Sequence, residues 1–158
     1  MKDILNTNYT ITTLNSNQLI QAQKFYKSVG YINQIVPTDK VLIALENNAI
    51  IGIVRLSYEE GTCTLRGMQI KHNYQRQGVG TALLKKLNIL IGTDTCWCIP
   101  HDWLENFYGQ IGFQKITEKE APLFLQKRIK EVRKCYPYVM VMVKNRGETP
   151  KKEVIRAF

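Results

Sequence analysis

Acidic residues are scarce in this chain: 13 Asp and Glu stand against 22 Lys and Arg, a formal charge of +9 over 158 residues. Histidine is rarer still, with two, and cysteine numbers four. Cys63, Cys96, Cys98 and Cys135 lack the dense spacing of a disulfide framework, so a reduced, cytoplasmic compartment is expected. No apolar run approaches the roughly 20 residues of a membrane span, and no membrane partner is expected. The opening Met1-Lys2-Asp3-Ile4-Leu5-Asn6 turns polar too soon for a secretory signal. Neither zinc-finger spacing nor an RNA-recognition aromatic motif accompanies the positive charge, which argues against a nucleic-acid partner. The same surplus suits a ligand that carries several phosphates. Its one local concentration, residues 127–134, has apolar residues three apart and reads as the solvated face of a helix.

What is present fits an ordinary globular domain, with 44% hydrophobic and 22% charged residues. The length allows one domain with a full core and is short for two. We expect a single domain over residues 1–144 and a polar tail over 145–158, loosely held and containing Pro150. Residues 9–14 read as a strand and residues 16–28 as a helix. The apolar runs 41–45 and 49–56 flank Glu46-Asn47-Asn48, a hairpin turn, and Glu59-Glu60-Gly61 turns into a third run over Thr62–Ile70. A helix follows over Val79–Ile91, with Val79, Leu83, Leu84, Leu87, Leu90 and Ile91 as its buried stripe. A short strand over 95–99, a helix with Asp102 as N-cap, a strand over 113–117, a helix over 122–134 and a strand over 136–144 complete the chain. The order predicts an α/β (α+β) fold with a mixed, mostly antiparallel sheet and helices packed on it.

Two segments carry chemistry. The first, Gln75-Arg76-Gln77-Gly78-Val79-Gly80-Thr81, is a glycine-bearing turn between a strand and an amphipathic helix. Glycine permits a tight turn and close backbone approach, and the first amides of a helix point outward without intrahelical partners. Such a terminus suits a phosphate. A dinucleotide fingerprint would need glycine at position 83, which is Leu. A P-loop would need a lysine after Gly80, and none is there. The second segment, Leu104-Glu105-Asn106-Phe107-Tyr108-Gly109-Gln110-Ile111-Gly112-Phe113, has apolar residues at helical spacing, with Gly112 placed to end the helix. The nearby Cys96-x-Cys98-x-x-His101 lacks the second short-spaced pair of a zinc site, so no metal is expected.

Q-x-x-G-x-G after a strand, followed by FY-x-x-x-GF, resembles the GCN5-related N-acetyltransferase (GNAT) superfamily. The resemblance implies a GNAT-type sheet and acetyl-CoA as co-substrate. Gln75, Arg76, Gln77, Gly78, Val79, Gly80 and Thr81 would hold the pyrophosphate, and the backbone of Met68, Gln69 and Ile70 would pair with the pantetheine arm. That pairing implies a splayed sheet edge there, and an N–H of the same strand would polarise the thioester carbonyl. Tyr108 matches the proton donor to the leaving thiolate. His101 stands where many relatives carry an asparagine, and is assigned to the pantetheine or to proton transfer. No carboxylate lies on Thr62–Ile70 or residues 95–99, so the base is unassigned, with water, His72, His101 and Glu46 open. The implied activity is direct acetyl transfer to a primary amine, with a small-molecule acceptor favoured. A peptide acceptor, or an acyl-CoA sensor without turnover, is the alternative, and a homodimer is left open.

Overall fold

The computed structural model describes residues 8–145, so the tail expected over 145–158 lies outside the described residues apart from Asn145. The chain forms two compact units. One comprises residues 8–58 with Leu65–Leu90, the other Glu59–Thr64 with residues 91–145. Among the described residues, seven strands form a mixed, mostly antiparallel sheet in the order β1-β2-β3-β4-β5-β7-β6, flanked by four α-helices.

The first unit opens with β1 (Thr10–Thr13), which pairs antiparallel with β2 (Lys40–Glu46). Between them, a 3₁₀ turn at Ser16–Gln18 leads into α1 (Leu19–Ser28), so the helix expected from residue 16 is tighter at its start. The cause is local: Asn15 and Gln18 form a reciprocal capping box that closes the first turn before the α-helix begins. β2 pairs antiparallel with β3 (Ala49–Glu59) through a two-residue turn. Asn47 and Asn48 both take positive φ there, at 52° and 66°, as a type I′ turn demands. Glu60 and Gly61 repeat that geometry before β4 (Thr62–Ile70). Ala22, Phe25 and Tyr26 of α1 pack on Val41, Ile43, Ile50 and Ile53. In α2 (Val79–Ile91), Val79, Leu83, Leu84, Leu87 and Ile91 are buried while Lys85 and Lys86 are exposed.

In the second unit, β5 (Cys96–Cys98) runs parallel to the first residues of β4, pairing Cys63 with Cys96 and Thr64 with Trp97. α3 (Glu105–Gly109) is followed by β6 (Gln114–Ile116), α4 (Leu123–Arg133) and β7 (Val141–Lys144), with β7 antiparallel to both β5 and β6. Leu125 and Ile129 of α4 pack with Ala121, Val139 and Val141.

Two expectations are corrected here. β7 starts at Val141, because residues 138–140 spend their backbone groups elsewhere. The Tyr138 carbonyl accepts from the Asp102 amide at 2.8 Å, and the Met140 amide donates to the Pro100 carbonyl at 2.9 Å. Asp102 does not cap the Tyr108 helix. It is the first residue of a 3₁₀ turn (Asp102–Leu104) capped by His101, and α3 begins only at Glu105. Among the described residues no helix is long and apolar enough to cross a membrane.

Candidate functional site

The glycine-bearing turn is built by backbone and glutamine side chains together. After β4, the Lys71 amide still donates to the Ile51 carbonyl of β3 at 2.8 Å, and a 3₁₀ turn at His72–Tyr74 follows. The Gln75 side-chain amide then reaches back to the Ile70 carbonyl at 3.1 Å, and that of Gln77 to the Asn73 carbonyl at 3.0 Å. These glutamines therefore help hold the turn in shape. The Tyr74 hydroxyl binds the Glu46 carboxylate, which fastens the turn to the end of β2 and occupies one of the candidate bases. Arg76 and Gly78 sit in the left-handed region, at φ 64° and 87°.

The first helical bond of α2 runs from the Ala82 amide to the Gly78 carbonyl at 3.0 Å. The amides of Val79, Gly80 and Thr81 come before it and have no carbonyl within the helix to bind. A side chain at Gly78 would begin in open space, with nothing within 4 Å. The face of the turn is thus clear, and the positive end of the 13-residue α2 is directed at it. A second glycine seats the helix: a Cβ at Gly52 of β3 would lie 3.0 Å from Ile70, 3.1 Å from Leu83 and 3.2 Å from Val79. Ile70 and Val79, assigned separately to strand and turn, are brought together over that one residue.

Met68, Gln69 and Ile70 are half-buried at the end of β4. Just before them Gly67 takes φ 66°, and its carbonyl accepts a 2.8 Å hydrogen bond from the Tyr26 hydroxyl. Behind Tyr26 stands a buried ion pair, Arg55 with Asp39, at 3.1 Å and with each side chain 1% exposed. Sequence reasoning missed this group. Its signal was a lone arginine inside the apolar run of β3.

Tyr108 and His101 belong to the second unit. Tyr108 is buried, with the rings of Phe107 and Phe113 edge-on at 4.9 and 6.1 Å. Burial pushes its phenol pKa up, and Cys98 nearby adds to the rise, so the hydroxyl keeps its proton at neutral pH. His101 is half-buried and pairs with Val139 by an isolated bridge. Its ring stacks on the exposed Trp103 at 4.4 Å and meets Tyr136 edge-on at 5.5 Å.

Cys96 and Cys98 share a face of β5 and are buried, with Cys63 Sγ 3.6 Å from Cys96 Sγ. The contact with Cys63 and then burial raise the Cys96 thiol, and burial alone raises Cys98. Among the described residues no three His, Cys, Asp or Glu side chains gather as a metal site would require. A cleft of about 550 Å³ beside β6 contains none of the expected site residues, and its Arg133 and Glu118 pair with each other.

A family model described as an acetyltransferase (GNAT) domain matches residues 37–115, from the approach to β2 into β6. No curated protein matches the chain. Among solved structures it is similar to an acetyltransferase of the GNAT family from Staphylococcus aureus Mu50. The TM-score is 0.62 at 16% identity, over 87% of this chain and 98% of that one. A ribosomal-protein-S18-alanine N-acetyltransferase from Escherichia coli is similar at TM-score 0.58 and 18% identity, over 85% and 92% of the two chains. PaiA N-acetyltransferase from Thermoplasma acidophilum, in complex with coenzyme A, is similar at TM-score 0.59 and 15% identity, over 88% and 99%. Identities this low speak for the fold and nothing finer.

Proposed function

The chain belongs to the GNAT acetyltransferase family, and from that premise we propose that it moves the acetyl group of acetyl-CoA directly to a primary amine of a small molecule. The observation that carries the reading is the turn before α2. Its outward amides at Val79, Gly80 and Thr81 and its open Gly78 suit a pyrophosphate. Arg76, exposed on the same turn, adds positive charge. The backbone of Met68, Gln69 and Ile70 would pair with the amide-rich pantetheine as a strand pairs with a strand. Acetyl-CoA supplies the activated thioester. The protein must stabilise negative charge on the carbonyl oxygen and give a proton to the departing sulfur.

An N–H of β4 is assigned to the first task. Tyr108 is assigned to the second, supported by the match of Phe107-Tyr108 to the family segment and by a buried phenol that retains its proton. His101, its ring stacked on Trp103 and edge-on to Tyr136, is assigned to contact with the pantetheine. The same reading assigns the enzyme to a reducing, cytoplasmic compartment, in keeping with four cysteines that form no disulfide.

Calorimetry tests the premise. CoA and acetyl-CoA are expected to bind between low-micromolar and sub-millimolar concentration, on the order of 6–8 kcal/mol. Gly78→Asp should abolish binding and preserve the fold, because its carboxylate would enter the open face of the turn. Undiminished binding to that variant would overturn the placement of the pyrophosphate. A thiol-release assay across polyamines, amino acids, aminoglycosides, arylalkylamines and peptides then identifies the acceptor. Turnover confined to peptides would replace the small-molecule reading with protein acetylation, and tight binding without turnover would indicate a sensor.

A further inference from the structure

We infer that Tyr26, held by Arg55 and Asp39, is a positioning residue that aims the Met68 amide of β4 at the acyl donor. The inference rests on the assignment of Met68–Ile70 to the donor's pantetheine and thioester.

Gly67 departs from extended geometry within β4. A φ of 66° lies outside the extended region and is open chiefly to glycine. Space imposes the same choice, since a Cβ there would lie 2.4 Å from the Tyr26 hydroxyl and 2.6 Å from Arg55 Nη1. The Tyr26 hydroxyl donates to the Gly67 carbonyl at 2.8 Å, and Arg55 Nη1 donates to the Tyr26 oxygen at 3.2 Å. Arg55 Nε pairs with Asp39 Oδ2 at 3.1 Å, and the same oxygen accepts from the Val36 amide at 3.0 Å. The series therefore runs from the loop before β2, through β3 and α1, to one carbonyl of β4.

The peptide plane converts that bond into an aim. Every peptide bond among the described residues is trans, so the Met68 N–H points opposite to the Gly67 carbonyl. Drawing the carbonyl toward Tyr26 in the core turns the Met68 N–H away from it. A catalytic amide must be directed before the charge develops, because reorientation during the reaction weakens its effect. Burial gives the series its stiffness: Tyr26 is 0% exposed and Arg55 1% exposed. The guanidinium also lies against the rings of Tyr26 and Tyr31, 5.5 and 5.4 Å from their centroids. A buried ion pair is a costly way to fill a core, and its best-attested return is a single fixed geometry. Burial also raises the Tyr26 phenol above its ordinary pKa, against an opposing effect of Arg55, so the donor keeps its proton through neutral pH.

Tyr26→Phe keeps the ring and removes the donor. The readouts are calorimetric affinities for acetyl-CoA and for ADP, which shares its adenosine and pyrophosphate but lacks the pantetheine and acetyl group, and the amide resonance of ¹⁵N-labelled Met68. The expected result is a shifted Met68 resonance and acetyl-CoA bound about tenfold more weakly, with ADP affinity held within about twofold. Arg55→Lys, which keeps the positive charge beside Asp39 but loses the fork toward Tyr26, should give the same pattern at smaller amplitude. Unchanged acetyl-CoA affinity alongside a shifted Met68 resonance would overturn the inference and leave the turn's assignment standing. Equal weakening of ADP and acetyl-CoA would reduce Tyr26 to a structural role. A wild-type protein that binds neither ligand would overturn the inference together with the reading beneath it.

Discussion

Replacing Gly52 with alanine adds one methyl group beneath the cofactor turn, and the structure fixes what that methyl meets. Its carbon would sit 3.0 Å from Ile70 Cδ1, 3.1 Å from Leu83 Cδ1 and 3.2 Å from Val79 Cγ1. Carbon atoms rest about 3.5–4.0 Å apart, so each neighbour must retreat by roughly 0.3–1 Å. Leu83 and Val79 are 0% and 1% exposed, and β-branched Val79 is stiff about χ1, so part of the movement passes to the backbone of α2. Two effects oppose each other in stability. Alanine restricts the unfolded chain and stabilises by about 0.4–1 kcal/mol, while overpacking costs about 1–3 kcal/mol. The second wins, for a net loss of about 1 kcal/mol and a Tm lower by about 2–4 °C. Val79 is also the first residue of α2, so displacing it shifts the amides proposed to hold the pyrophosphate. We expect CoA affinity to fall about three- to tenfold, by calorimetry, in parallel with the Tm. Ile70→Val removes the atom nearest the new methyl, and in combination with Gly52→Ala it should restore part of both losses. A Gly52→Ala protein with raised Tm and wild-type CoA affinity would refute the proposed coupling between core and turn.

Tyr108→Phe should lower the turnover rate about 10²- to 10⁴-fold with little change in acetyl-CoA affinity, and wild-type turnover would show that the proton comes from elsewhere. Because burial, then Cys98, raises the Tyr108 phenol, the hydroxyl does not titrate in the working range; the rate should show no loss from its ionisation up to about pH 10. The folded pKa exceeds the unfolded one, so this contribution to stability is complete below about pH 10 and declines as pH rises further. A urea midpoint that climbs above that pH would contradict it. Asp39→Ala strands the Arg55 guanidinium in the core and should cost about 3–5 kcal/mol by urea unfolding; an unchanged midpoint would mean that the ion pair is open to water.

The residues announce some of this architecture and conceal the rest. The β2–β3 and β3–β4 turns were legible because Asn47, Asn48 and Gly61 suit positive φ values between apolar runs, although Glu60, which does not, takes one as well. The stripe of α2 was legible from its period, with Val79, Leu83, Leu84, Leu87 and Ile91 buried as expected, while Leu90, expected in the same stripe, is only half-buried. The start of β7 was not, because Val and Met alternation continues through residues whose amides and carbonyls are taken by Pro100 and Asp102. The bonds from the Gln75 and Gln77 side chains to the Ile70 and Asn73 carbonyls were not legible, because no spacing rule points to those partners. The Tyr26–Arg55–Asp39 group is the deepest omission. Its members are separated by 29 and 16 positions in the chain, and only the fold places one phenol between a guanidinium and a strand carbonyl.

The cysteines divide sharply by access, and the division matters at the bench. Cys63, Cys96 and Cys98 are buried, and Cys135, just beyond α4, is exposed. Disulfide reagents react with accessible thiolates, so a native sample should titrate one thiol per chain rapidly and the other three on unfolding. An assay that follows CoA release with such a reagent therefore begins on a background of one equivalent of protein thiol. The same exposed sulfur accepts a single maleimide dye without any cysteine being removed by mutation. A burst of one thiol per chain, rather than four, thus reports that the chains in the cuvette are folded.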